Sequence, residues 1–214
     1  MLHRLARFDR PRTAATGVMQ RVYDRAASGW QDGIAQLGFL AAYDHLMAQV
    51  DLARPAQRVL DVGTGTGAFA TAWTAHHGQP KHLTLMDISP AMLDIAAARL
   101  PYADTQANAL GDKVQTPPQD VVLCAHVIEH LDDPSLALTW LFDRLTPGGT
   151  LVLAMSRPHW CTALVRWRWG NAAYTPTQAT QMLRAAGLQD ITPHRFPGGP
   201  PARVSCGYTA RRPL

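Results

Sequence analysis

Cysteine is scarce in this chain. Cys124, Cys161 and Cys206 are odd in number and widely spaced, which excludes a disulfide framework and a paired zinc-ligand spacing. No apolar run approaches the length that spans a bilayer. The opening Met1-Leu-His-Arg-Leu-Ala-Arg-Phe8 has no signal-type apolar core, and the expected location is the cytoplasm. Internal repeats and low-complexity blocks are missing too. No charge sign dominates, since the net charge is only +4 and 17% of residues are charged. The arginine excess gathers at Arg4, Arg7, Arg10 and Arg12, around Arg166 and Arg168, and at Arg203, Arg211 and Arg212. Such charge bears on partners and not on fold, and a solvated surface is the plain reading.

What is present suits one globular domain. The chain has 214 residues, 47% of them apolar, enough to bury a sizeable core. From about residue 57 onward, strand and helix patterns alternate, while the first 55 or so read as helical cover. Short apolar strands are expected at 58–62, 82–87, 120–125 and 150–155, and a further short strand near 105–107. Helices are expected across 68–73, from Pro90 to Arg99 behind a Ser89 N-cap, and from about Ser135 to Leu145. A last helix, about Thr177 to Ala186, stops at Gly187 as a C′ glycine would make it. Two further strands near Gln189–Arg195 and Arg203–Ala210 flank a Pro/Gly loop short enough to require antiparallel pairing. Alternating strands and helices imply a parallel sheet covered on both faces.

The strongest chemical signal is Val59-Leu-Asp-Val-Gly-Thr-Gly-Thr-Gly-Ala-Phe69. Its glycines permit a tight turn and close approach of backbone to a ligand, and the turn aims the next helix N-terminus at that ligand. Asp87, about two dozen residues after Gly63, ends the second strand, where a carboxylate can accept hydrogen bonds from ribose hydroxyls. These features define a nucleoside-containing cofactor. Gly63-Thr-Gly-Thr-Gly-Ala68 also fits the turn of nicotinamide-dependent oxidoreductases. Asp61 favours a cationic amino-acid moiety over a pyrophosphate, which it would repel.

The ordered motifs resemble those of class I S-adenosylmethionine (SAM)-dependent methyltransferases, of the small-molecule type. Leu60-Asp-Val-Gly-Thr-Gly-Thr-Gly67 is similar to their first motif and Asp87-Ile-Ser-Pro-Ala-Met-Leu93 to their second. The stretch from Asp120 to Leu131, then Asp133-Pro134, resembles their fourth strand and its loop. Leu145-Thr-Pro-Gly-Gly-Thr-Leu-Val-Leu153 matches the turn into their fifth, and Tyr174-Thr-Pro with Leu183-Arg-Ala-Ala-Gly-Leu188 resembles the helix before their terminal hairpin. The resemblance implies an α/β fold: a Rossmann-like, seven-stranded, mostly parallel sheet with helices on both faces and a C-terminal antiparallel strand. It further implies that S-adenosyl-L-methionine lies over the strand ends. Gly63, Gly65 and Gly67 would line its methionine part with Asp61 nearby, Asp87 would hold the ribose, and Ile88 and Met92 would flank the adenine. Asn108, in Ala107-Asn-Ala109, stands where many members carry an acid for the adenine amino group, with Asp112 as the rival.

Methyl transfer from a sulfonium asks mainly for positioning, with a general base only where the acceptor must lose a proton. His126, Glu129 and His130 lie beyond the fourth strand. His126 is a candidate for both cofactor contact and catalysis, and His130 for catalysis. Tyr23, beside Asp24 and with Trp30, is a third catalytic candidate, closing the site and excluding water, with ordinary core packing of these aromatics as the other reading. His126-x-x-Glu129-His130 differs from the Glu-x-x-Glu-His metal set of some methyltransferases by its first ligand, so no metal is expected. Trp160, Leu164 and Trp167 recur at helical spacing, as a lid or core face, an acceptor pocket, or a membrane-surface patch with Arg166 and Arg168. The expected partner is a small-molecule acceptor rather than nucleic acid. An RNA- or protein-modifying enzyme, a nicotinamide-dependent oxidoreductase and a non-catalytic SAM-binding protein stand as alternatives.

Overall fold

The structure, a computed structural model, describes residues 13–52, 54–112, 116–159 and 172–214. The tryptophan-rich segment Trp160–Gly170 lies outside the described residues. The predicted strands form β1 (Arg58–Val62), β2 (His82–Asp87), β3 (Asp104–Ala107), β4 (Gln119–Ala125) and β5 (Leu145–Ser156); β3 is short and polar, and β5 starts at Leu145 rather than at the expected 150. These are joined by α3 (Ala68–His77), α4 (Pro90–Arg99) and α5 (Pro134–Arg144), preceded by α1 (Thr13–Gln36) and α2 (Phe39–Met47). The chain ends with α6 (Pro176–Ala185), β6 (Gln189–His194), α7 (Gly199–Val204) and β7 (Ser205–Arg211).

The sheet has seven strands in the order β3-β2-β1-β4-β5-β7-β6. β1, β2, β3, β4 and β5 run parallel, and β7 inserts antiparallel between β5 and β6. The expected Rossmann-like architecture with an antiparallel end is therefore the observed one. Alternate residues of the central strands feed two cores. Leu60, Val122, Cys124, Leu151 and Leu153 pack on one face with α5 and α6 residues such as Leu138, Leu141 and Leu183. Val59, Leu83, Val121, Leu123 and Val152 pack on the other with Leu46, Phe69, Trp73 and Ala96 from α2, α3 and α4. Strands buried on both sides explain the continuous apolar runs.

Local chemistry sets the helix ends. The Ser89 hydroxyl accepts from the Met92 N–H at 3.2 Å with Pro90 at the first helical position, as the sequence predicts. α5 starts one residue earlier than expected, because Asp133 caps it by accepting from Ser135 and Leu136 N–H groups. Gly187 takes φ 96°, and the Leu188 N–H returns to the Leu183 carbonyl at 3.2 Å, ending α6. The second hairpin strand starts at Ser205 and not at Arg203, because Gly199–Val204 winds into a short helix led by prolines. A single 3₁₀ turn at Ile128–His130, absent from the sequence reading, follows β4.

Candidate functional site

The parallel strands β1, β2 and β4 present their carboxyl ends side by side, and loops after each meet there. After β1 the chain turns through Gly63, Gly65 and Gly67 at φ 67°, 52° and 79°, a region that favours glycine. At Gly63 a Cβ would stand 2.2 Å from Val127 Cγ2, so the turn nests directly under the loop after β4. The Gly63 and Thr64 N–H groups both donate to the Met86 carbonyl, at 2.7 and 3.0 Å, tying the turn to the tip of β2.

Two carboxylates bracket this turn. Asp61 is 1% exposed; its Oδ2 accepts from the Thr64 hydroxyl at 2.6 Å, and its Oδ1 is buried with no partner. Burial, augmented by the charge of Asp87 and only partly offset by Thr64, pushes its pKa up to about 7. Asp87 Oδ2 accepts from the Gly65 N–H at 2.8 Å and Oδ1 from the Ser89 N–H at 2.9 Å. Burial raises its pKa against those hydrogen bonds. The two acids and three glycines that the sequence singles out thus share one cradle. The unmet Oδ1 of Asp61 and the remaining acceptor capacity of Asp87 suit a ligand with an ammonium at one end and hydroxyls at the other. At Gly67 a Cβ would stand 3.2 Å from Ala96 Cβ, so Gly63 and Gly67 let the turn pack closely on its neighbours.

α1 spans this cradle. Gln31 Oε1 accepts from the Thr66 hydroxyl and from Arg99 Nη1, each at 2.8 Å, and Arg99 also donates to the Thr66 carbonyl at 3.0 Å. The Ser89 hydroxyl donates to Asp24 Oδ1 at 2.5 Å. Trp30 Nε1 stands 3.8 Å from where a Cβ on Gly65 would be. Tyr23 packs edge-on to Trp30, and its hydroxyl bonds His130 Nε2 at 3.2 Å. Burial, then the charges of Asp87 and Glu129, raise the Tyr23 pKa to about 12. Neither the Gln31 contacts nor the Asp24 bond is foreseen from sequence.

On the far side of the turn, Ile88 is half-buried beside Asp87, whereas Met92 is only 1% exposed. Asn108 and Ala109 follow β3 and are half-buried. Asp112 Oδ2 accepts from the Ala109 N–H at 2.8 Å, so this acid braces the loop that carries Asn108.

His126 takes φ 57°, unusual for a residue with a Cβ, and its N–H donates to the Ala154 carbonyl at 2.9 Å. Its ring lies edge-on to Phe39 at 5.3 Å; Nδ1 meets Glu129 Oε1 at 3.2 Å and Nε2 meets the Ser205 hydroxyl at 3.3 Å. Glu129 is 3% exposed, and its Oε1 also accepts from the Ser156 N–H at 2.5 Å. His126 and His130 therefore point to different neighbours, the first toward β7 and the second toward α1. Glu129, which the sequence shows only as an acid between two histidines, is the hub joining the loop after β4 to the end of β5. The three-residue spacing of His126 and Glu129 in a tight turn is the signal that foretells their contact. No group of three or more potential metal ligands occurs among the described residues.

Comparison with known proteins identifies the family and the fold. A family described as a methyltransferase domain matches residues 24–192. The ubiquinone/menaquinone biosynthesis C-methyltransferase UbiE of Vibrio vulnificus is 34% identical over 116 residues, which cover 50% of this chain and 44% of that protein. The malonyl-[acyl-carrier protein] O-methyltransferase of Serratia marcescens is 31% identical over 104 residues, 47% of this chain and 38% of that protein. The chain thus spans less than half the length of these curated relatives. Among solved structures, the N-methyltransferase NodS from Bradyrhizobium japonicum, in complex with S-adenosyl-L-homocysteine, shares the fold. Its TM-score is 0.73 at 20% identity, over 91% of this chain and 98% of that one. The chain belongs to the methyltransferase-domain family and has the Rossmann-like fold of class I SAM-dependent methyltransferases.

Proposed function

We propose that this protein transfers a methyl group from S-adenosyl-L-methionine to a small-molecule acceptor, with the donor held in the cradle between β1 and β2. The observation that carries the reading is the pair of buried acids about a glycine turn: Asp61 with an unmet oxygen, and Asp87 fixed by the Gly65 N–H. When bound, the cofactor supplies a sulfonium-activated methyl group. The protein's part is to bind, orient and exclude water. Asp61 faces the cationic amino-acid end, Asp87 the ribose hydroxyls, and Gly63, Gly65 and Gly67 line the floor. Ile88, Met92, Asn108 and Ala109 form the adenine side, and Tyr23 closes the opening from α1. His126 and His130, tied to Glu129 and Tyr23, stand on the acceptor side. The small-molecule acceptor is supported by the similarity to a ubiquinone/menaquinone biosynthesis C-methyltransferase and to a malonyl-[acyl-carrier protein] O-methyltransferase.

Titration calorimetry with SAM, S-adenosylhomocysteine and NAD tests the reading. The first two are expected to bind and NAD is not. Asp87→Ala is expected to weaken SAM by more than about 1 kcal/mol, the scale of a hydrogen bond to a charged group. Tight NAD binding without SAM binding would falsify the assignment.

A further inference from the structure

Glu129 is the buried carboxylate that the cradle does not use. Its side chain is 2% exposed and sits in the turn after β4. One oxygen is committed to Ser156 and His126, while Oε2 is buried with no partner. A carboxylate that has left water with half its acceptor capacity unmet is unfavourable unless something else supplies the missing contact. Burial alone would push its pKa up, but the hydrogen bonds from His126 and Ser156 hold it below the ordinary glutamate range. The group therefore stays anionic at neutral pH and is a poor proton acceptor.

Its surroundings define what it can meet. Its charge acts on the hydroxyls of Tyr23 and Tyr43, which also feel Asp87 and Asp61 respectively. Tyr23 is tied to this turn through its bond to His130, and the Tyr43 ring neighbours the His126 ring that bonds Glu129. Phe39 and Tyr43 flank His126 at 5.3 and 6.3 Å. Asp24 adds a fourth acid beside Ser89, and Arg99 is committed to Gln31 and Thr66.

We infer that the methyl acceptor is an amine, its nitrogen held by the free oxygen of Glu129 among the rings of Tyr23 and Tyr43. The inference rests on the methyl transfer proposed above. In the step it implies, the lone pair of the free amine forms the new N–C bond while the methyl's C–S bond breaks and leaves its electron pair on sulfur. Positive charge moves from sulfur to nitrogen; an acceptor that arrives as an ammonium first gives one proton to water, and the transfer itself then needs no protein base. An anionic group fixed beside that nitrogen stabilises charge where it develops, and aromatic faces favour the resulting cation. A carboxylate or phosphate acceptor would instead meet like charge. A hydroxyl acceptor would need a proton acceptor; Glu129 is poorly suited to be one, both His126 nitrogens are engaged with Glu129 and Ser205, and His130 Nε2 is engaged with Tyr23.

The test uses the full chain, SAM with a tritiated methyl group, and a metabolite extract divided by ion exchange at pH 7 into cationic, neutral and anionic fractions. Label is expected in a product from the cationic fraction, in an N–CH₃ linkage that survives alkaline hydrolysis. Label confined to the neutral or anionic fractions overturns the inference and leaves methyl transfer standing. Glu129→Gln is expected to hold SAM affinity within about twofold by calorimetry while lowering transfer to the cationic fraction at least about tenfold, the loss of one charged contact. Undiminished transfer overturns the role of Glu129. If that variant does not fold, the charge class of the product made by the unaltered protein decides. SAM binding with no label in any fraction overturns the proposed catalysis itself, and the amine inference with it.

Discussion

At the scale of single residues, the burial of Asp61 couples stability to pH. Folding moves its carboxyl from an ordinary 3.8 to about 7, so the folded chain holds this proton more tightly than the unfolded chain does. Its contribution is therefore fully present in acid, below the unfolded value, and stability falls as pH rises from about 4 toward 7. A shift of this size corresponds to a few kcal/mol, on the order of 1.4 for each pKa unit. Asn at position 61 can still accept from Thr64 but carries no charge to bury. We expect Asp61→Asn to melt higher than the natural protein at pH 8, with the advantage gone near pH 4, and to lose most of its SAM affinity. Thermal melts across that range check it; parallel pH profiles for the two proteins would remove Asp61 from this role. In the proposed site Asp61 would weaken the fold and strengthen the complex, a familiar compromise.

At the scale of elements, α1 is held over the cradle by few and specific contacts. Gln31 joins Thr66 on the turn to Arg99 on α4, and Asp24 reaches Ser89 at the start of α4. Removing the Gln31 amide costs about 1 kcal/mol of closure. Gln31→Ala is thus expected to speed S-adenosylhomocysteine release several-fold in stopped-flow fluorescence, with Trp30 beside Gly65 as a natural reporter. An unchanged release rate would mean that these contacts do not latch the helix. The strands, the Ser89 cap and the glycine turn were legible in the sequence because they depend on neighbours a few positions away: apolar runs, a serine before a proline, and glycines where φ is positive. The Thr175-Pro-Thr-Gln178 capping box was equally legible in principle, since both partners lie within one turn. Gln31 and Asp24 were not, because their partners lie 35, 68 and 65 residues away and no periodicity marks them. α7 was missed for a different reason: Gly199-Pro-Pro201 signals a loop, yet prolines also suit a helix's first turn.

At the scale of the whole molecule, the order of strands does most to build the site. β1 lies between β2 and β4, so the loops after all three converge, and acids separated by 26 residues in sequence (Asp61 and Asp87) come within electrostatic reach of each other. The inserted antiparallel β7 brings Ser205 to His126 from the far end of the chain. Among the described residues, no helix is long and apolar enough to cross a membrane. The two buried cores clamp this sheet from both sides, so the cradle rests on rigid strands while its cover rests on one helix. That division suits a site whose floor must stay fixed and whose lid must open.

The most direct measurement is a crystal structure of the protein with S-adenosylhomocysteine. The account predicts the nucleoside over Gly63–Gly67, with ribose hydroxyls about 2.6–2.9 Å from Asp87, the usual span for hydrogen bonds to a carboxylate, and the amino group on the Asp61 side of the turn. A nucleoside bound elsewhere, with both acids untouched, would contradict it.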